Sequence, residues 1–236
     1  MLIRPNQIDY LCCMNAFTLS STIIFDLDGT LIDSLHDIAD AMNRALVANG
    51  FSPHPYDAYR LFIGRGMKNL VKDALPKSAQ TELQISQLYE ALVVEYNKNL
   101  LEKTVLYEGI PNLLDHLETV KISKSILSNK SDLFTQKIGE KLLGKWSFQY
   151  IIGTSEGGLR KPDPTEALNI CTKLQVQPDS VLFVGDSSID MHTAKNAGMT
   201  AIGVTWGFRS RNELLEHGAD YTIDKPMDLL NFLKIR

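Results

Sequence analysis

The run Thr22-Ile23-Ile24-Phe25-Asp26-Leu27-Asp28-Gly29-Thr30 carries four apolar or β-branched residues straight into two carboxylates spaced two apart, then a glycine and a hydroxyl. An apolar run without alternation suits a strand covered on both faces, as in a parallel sheet. Ligand sites in such sheets lie just beyond the carboxyl ends of the strands. Asp26 and Asp28 are therefore expected at the rim of a sheet, close enough to repel each other. Without a counter-charge the pKa of one must rise; beside a bound hard cation both can stay ionised. Gly29 permits a sharp turn there and Thr30 adds a donor. Taken alone, this is also how a strand ending in an acidic turn reads, so chemistry requires partners elsewhere in the chain.

Downstream, Ser34 followed by Asp37 reads as an N-cap with a capping-box-like partner. Leu35, Ile38, Met42, Ala45 and Leu46 recur at helical spacing until Gly50, Pro53 and Pro55. Further helices are expected over about 55–62, from Gly66 to near Pro76, and over about 78–100, with Gly64-Arg65-Gly66 as a turn between two of them. Loops within α/β units usually span about 2–6 residues, so residues 34–105 read as a small helical domain inserted into an α/β one. After Gly109 the pattern becomes βαβα. Pro111 opens a helix, and Ser131 caps another that ends at Gly144. Strands are expected at Lys124–Ser128, Tyr150–Gly153, Val181–Val184, Thr200–Val204 and Tyr221–Ile223. The expected fold is a doubly wound parallel sheet, residues 21–33 and 106–236, with an all-helical cap at 34–105.

Composition is that of an ordinary globular chain: 236 residues, 44% hydrophobic, 22% charged. A net charge of −4 offers no electrostatic case for nucleic acid or a membrane surface. No apolar run approaches the roughly 20 residues that span a bilayer. Cys12, Cys13 and Cys171 lack metal-site spacing and cannot all pair within the chain, which favours a reducing cytoplasmic compartment. Residues 1–20 lack the features of a signal peptide. Met14 stands just ahead of the first strand, so the residues before it are expected to be a poorly packed extension.

Each expected strand is followed by a polar group. Ser128 and Asn129 follow one, and Arg160-Lys161-Pro162-Asp163-Pro164 lies in the loop after the next. Gly185-Asp186-Ser187-Ser188-Ile189-Asp190 follows a third. In isolation Ser128 and Asn129 read as a cap or turn, Lys161 as a surface charge, and Asp186 equally as a helix cap. Together they fall at one edge of one sheet. Two acid clusters there suit a hard metal ion, and the hydroxyl, amide and ammonium donors suit a tetrahedral anion.

These four groups, in this order, resemble the motifs of the haloacid dehalogenase-like superfamily of Mg²⁺-dependent phosphohydrolases, in which a helical cap inserted after the first motif is typical. The resemblance covers nearly all of residues 21–236. Within it the chain is most similar to the phosphoglycolate phosphatases, through Ser128-Asn129-Lys130, Gly203 to Ser210 and Gly218-Ala219-Asp220. The resemblance implies that Asp26 attacks phosphorus to form an aspartyl-phosphate and that Asp28 serves as acid and then base. It implies Mg²⁺ held by Asp26, Asp28 (through its backbone carbonyl) and Asp186, with Asp190 a ligand through water or an orienter of Lys161. Lys161 would neutralise phosphoryl charge while Ser128, Asn129 and Thr30 position the substrate. Arg65, between two glycines, is the candidate for a cap residue reaching the substrate, against the alternative of an exposed Arg in a helix–helix turn. The expected partner is a small phosphorylated metabolite, with the chain a monomer or homodimer.

The nearest rivals are a sugar-phosphate phosphatase, a phosphomutase or a pyrophosphatase, which share the core motifs and differ in the cap. A dehalogenase fits less well because Asp28 is present. A phosphoacceptor signalling domain would pair its acids differently and carry no inserted cap, and a non-catalytic binding module would be expected to lack Asp26 or Asp28. The five histidines are scattered and receive no role.

Overall fold

A computed structural model describes residues 21–233. The expected extension, residues 1–20 with Cys12, Cys13 and Met14, lies outside the described residues. The central sheet contains β1 (Thr22–Phe25), β4 (Ser123–Ser131), β5 (Ile151–Thr154), β6 (Val181–Gly185), β7 (Thr200–Val204) and β8 (Tyr221–Ile223). Its order is β5-β4-β1-β6-β7-β8 and every pairing is parallel. β1 lies between β4 and β6, which explains its unbroken apolar run. Ile23 and Phe25 pack on one face with Leu113, Leu114 and Leu117 of α5 (Ile110–Thr119). Ile24 packs on the other with Ala167 and Ile170 of α7 (Thr165–Leu174) and Met191 of α8 (Ser188–Ala197).

Between β1 and β4 the chain forms α1 (Leu35–Ala48), α2 (Tyr56–Phe62), α3 (Met67–Ala74) and α4 (Glu82–Lys98). They enclose a core of their own in which Leu35, Met42 and Leu46 of α1 meet Tyr59, Val71, Leu88 and Leu92. Phe134 of α6 (Asp132–Ile138) and Phe208 join that cluster from the sheet side. α4 starts later than the helical spacing suggested. A 3₁₀ turn at Lys77–Ala79 precedes it, and the Thr81 hydroxyl caps it by accepting from the Gln84 N–H at 3.3 Å. Among the described residues no helix is long and apolar enough to cross a membrane.

The two joins between helices and sheet differ from expectation. β2 (Ile32–Asp33) and β3 (Val105–Leu106) pair antiparallel where the chain leaves and re-enters the α/β part. Two-residue strands have no period, so no pattern announces them. Ser34 and Asp37 form no capping box: the Ser34 hydroxyl donates to Asp28 Oδ1 at 2.5 Å. Asp37, 2% exposed, accepts from the backbone N–H groups of Lys103 and Thr104 and from the Thr104 hydroxyl at 2.6 to 3.0 Å. A buried carboxylate needs several donors, and the returning chain presents them. Ser131 stands at the N-cap position of α6, as expected, but its side chain makes no cap hydrogen bond.

Asp37→Ala would leave those donors buried without an acceptor. It should lower unfolding free energy by about 3 kcal/mol in a denaturant melt; a loss under about 1 kcal/mol would show that this tie does little for the fold.

Candidate active site

The carboxyl ends of β1, β4 and β6 and the loop after β5 meet at one edge of the sheet, each delivering a functional side chain. Lys161 sits at the centre, 7% exposed, with its Nζ 2.6 Å from Asp26 Oδ1 and 2.7 Å from Asp190 Oδ1. Its main chain is clamped by Asn129, whose Oδ1 accepts from Lys161 N–H at 2.9 Å and whose Nδ2 donates to Lys161 O at 3.0 Å. Asp190 is oriented by a capping box at the start of α8, where its Oδ2 accepts from the Ser187 N–H (3.1 Å) and hydroxyl (2.6 Å). That leaves Oδ1 for Lys161. Asp186 accepts the Phe208 N–H on Oδ2 at 2.7 Å. It also sits against two glycines that a side chain could not replace: a Cβ on Gly29 (φ +89°) or on Gly207 would lie 2.3 Å from Asp186 atoms.

Burial dominates the electrostatics. It pushes the Asp26 pKa up to about 7, opposed by the Lys161 ammonium and reinforced by Asp190. Asp186 is raised well above the usual carboxylate range by burial, then by Asp190 and Asp26. Burial alone would lower the Lys161 pKa, but Asp190 and Asp26 outweigh it and hold the ammonium charged. One ammonium faces three buried carboxylates, so negative charge is left over. Oxygens of Asp26, Asp186 and Asp190 lie within 4.8 Å of one another. All-oxygen, anionic donors so grouped suit a hard divalent cation such as Mg²⁺.

The other expected residues divide. The Asp28 side chain does not join the carboxylate cluster: Lys130 Nζ reaches both of its oxygens at 2.8 and 3.0 Å, and Ser34 holds one of them. Ser128 lines the cavity with Asp26 and Asp28, its Oγ accepting from the Lys130 N–H at 3.2 Å. Asn129, expected to position phosphate oxygens, is engaged with Lys161 and with Gly64 O at 3.0 Å. Thr30 is fully buried; its hydroxyl lacks a hydrogen-bond partner while its carbonyl accepts from Trp206 Nε1 at 3.0 Å. Arg65 is not brought in: it is exposed and pairs with Asp73. The backbone of its neighbours Gly64 and Gly66 approaches instead. No histidine lines the cavities that hold the acids.

Two residues given no role from sequence stand out. Lys130 is a lysine buried at the end of a buried strand, directly after Ser128-Asn129. Its signals in the sequence were that placement and its membership of the Ser128-Asn129-Lys130 stretch that carries the family resemblance. Arg209 reaches from the α/β part to the carbonyls of Arg60, Leu61 (3.4 Å) and Ile63 (3.2 Å), while Arg60 donates back to Gly207 O at 3.3 Å. No local pattern predicts that bridge.

Residues 23–204 match the family model described as haloacid dehalogenase-like hydrolase. A phosphoglycolate phosphatase of Pseudomonas putida is 31% identical over 220 residues, covering 92% of this chain and 78% of the relative. One from Aquifex aeolicus is 31% identical over 211 residues, covering 89% and 95%. The crystal structure of a predicted phosphoglycolate phosphatase from Haemophilus somnus superposes with a TM-score of 0.84 at 28% identity, covering 91% of this chain and 98% of that one. The chain therefore belongs to the haloacid dehalogenase-like hydrolases and is an enzyme of that family.

Asp26 and Asp186 keep their protons to higher pH when folded than when unfolded, so without metal their contribution to stability falls as pH rises from about 4 towards 7. A divalent cation competes with those protons. The rise in melting temperature caused by Mg²⁺ should therefore be larger at about pH 8 than at about pH 5; an equal or reversed effect would contradict this reading of the cluster.

Proposed function

We propose that this enzyme is a Mg²⁺-dependent phosphatase of small phosphomonoesters, with 2-phosphoglycolate as its preferred substrate, working through an aspartyl-phosphate. The observation that carries the reading is the Lys161 ammonium bridging Asp26 and Asp190 inside a cluster of three buried carboxylates. The substrate assignment draws on the names of the phosphoglycolate phosphatase relatives.

Asp26, Asp186 and the Asp28 carbonyl would hold Mg²⁺, with Asp190, both of whose oxygens already accept hydrogen bonds, serving to orient Lys161. When bound, Mg²⁺ would supply positive charge against the phosphoryl oxygens. With Oδ1 of Asp26 tied to Lys161, Oδ2 is the oxygen left to attack phosphorus. The bond from phosphorus to the ester oxygen breaks as the Asp26–phosphorus bond forms, and Asp28 gives its proton to the departing alkoxide. Asp28 then takes a proton from the water that attacks phosphorus, releasing inorganic phosphate and restoring Asp26. Lys161 and Ser128 offset the charge on the transferring group. Asn129 acts on this step indirectly, by fixing the Lys161 backbone and the Gly64 loop. Residues 34–105 would serve as the cap, its closed position held over the site by Arg209 and Gly64, excluding water before transfer.

Phosphate release should be fastest from 2-phosphoglycolate among small esters and sugar phosphates, stop with chelator, and fall at least about 1,000-fold in Asp26→Asn. Broad activity on sugar phosphates would move the substrate assignment. Release that survives both chelator and Asp26→Asn would overturn the mechanism.

A further inference from the structure

Lys130 and Tyr96 occupy the one part of the active-site cavity that the phosphatase mechanism leaves unused. The cavity is small, about 50 Å³, and lies between the sheet edge and the helices. Asp26, Asp28, Ser128 and Asn129 line its phosphate end, while Ile63, Met67, Leu70 and Leu92 make the opposite wall apolar. Against that wall stand Lys130 from β4, 6% exposed, and Tyr96 from α4, 1% exposed. An ordinary apolar lining would need neither.

Each has hydrogen-bonding capacity to spare. The Tyr96 hydroxyl is buried beside the Lys130 ammonium, towards which its oxygen acts as acceptor, while its own proton has no acceptor among the described residues. Its ring is fixed edge-on to Phe134, centroids 4.9 Å apart, and the Lys130 ammonium stands 4.9 Å from its centroid. Burial raises its pKa to about 12, so it is a donor at any working pH. Lys130 bonds Asp28, but an ammonium has three protons and can serve a second anion. A charged donor beside a neutral donor on an apolar wall is the chemistry that recognises one carboxylate on a small leaving group.

We propose that Lys130 and Tyr96 bind the carboxylate of the substrate's leaving group and set the enzyme's preference for a carboxylate-bearing phosphomonoester. The inference rests on the phosphoglycolate reading and deepens it. A uniform binding contact of this kind acts through KM, whereas a lysine that merely steadied Asp28 would affect every ester alike.

The test compares kcat/KM for 2-phosphoglycolate and for ethyl phosphate, which has a similarly poor leaving group and no carboxylate, in wild type, Lys130→Met and Tyr96→Phe. The selectivity ratio should fall about tenfold or more in Lys130→Met and several-fold in Tyr96→Phe, mainly through KM for 2-phosphoglycolate. Tyr96→Phe removes a single oxygen, keeps the ring packed on Phe134 and should fold normally, so it decides the matter if Lys130→Met does not fold. A high wild-type ratio that both folded variants retain would overturn the inference and leave the substrate reading standing. A wild-type ratio near one would overturn both.

Discussion

A buried ammonium shared between two buried carboxylates is the constraint on which the site depends. Lys161 cannot leave Asp26 and Asp190 without exposing uncompensated charge inside the protein, and breaking such a pair costs several kcal/mol. Its geometry in turn imposes conditions on three separate pieces of chain. Asn129 must bracket the Lys161 backbone, the start of α8 must turn Asp190 inward, and β1 must end with Asp26 facing both. Asp186, walled in by Gly29 and Gly207, holds its proton well above the usual carboxylate range because burial and the neighbouring Asp190 and Asp26 disfavour its ionised form. Three buried carboxylates so grouped suit a hard divalent cation.

The helical insertion is fixed to this edge by side chain-to-backbone hydrogen bonds as well as by the packing of Phe134 and Phe208. Asn129 holds the Gly64 carbonyl and Arg209 gathers carbonyls at the end of α2. Asp37 ties the insertion's entrance to its exit. These ties place an apolar wall opposite the acids, across a cavity of about 50 Å³.

Much of this was legible in the sequence because its signals were local. The unbroken Thr22–Phe25 run announced a strand covered on both faces, and the polar residues after later strands announced the shared edge. Helical spacing in 35–46 announced the buried stripe of α1. What was not legible depends on partners distant in sequence. Ser34 and Asp37 have the spacing of a capping box, but burial gave each a better partner in Asp28 and in Thr104. Arg65 between two glycines resembles a reaching residue, yet its exposed position lets it pair with Asp73 while only the glycine backbone approaches the site. Lys130 and Arg209 lie in stretches that carry the family resemblance, yet no local pattern shows that the fold buries the first and lays the second across the insertion.

Phosphorylation of Asp26 during turnover is tested most directly by trapping. Enzyme turning over 2-phosphoglycolate with Mg²⁺ would be quenched in acid, reduced with borohydride, digested and read by mass spectrometry. An acyl phosphate at Asp26 would be converted to homoserine at that position alone, and the conversion would vanish when substrate is omitted. Steady phosphate release with Asp26 unmodified, or modification at another carboxylate, would contradict the account.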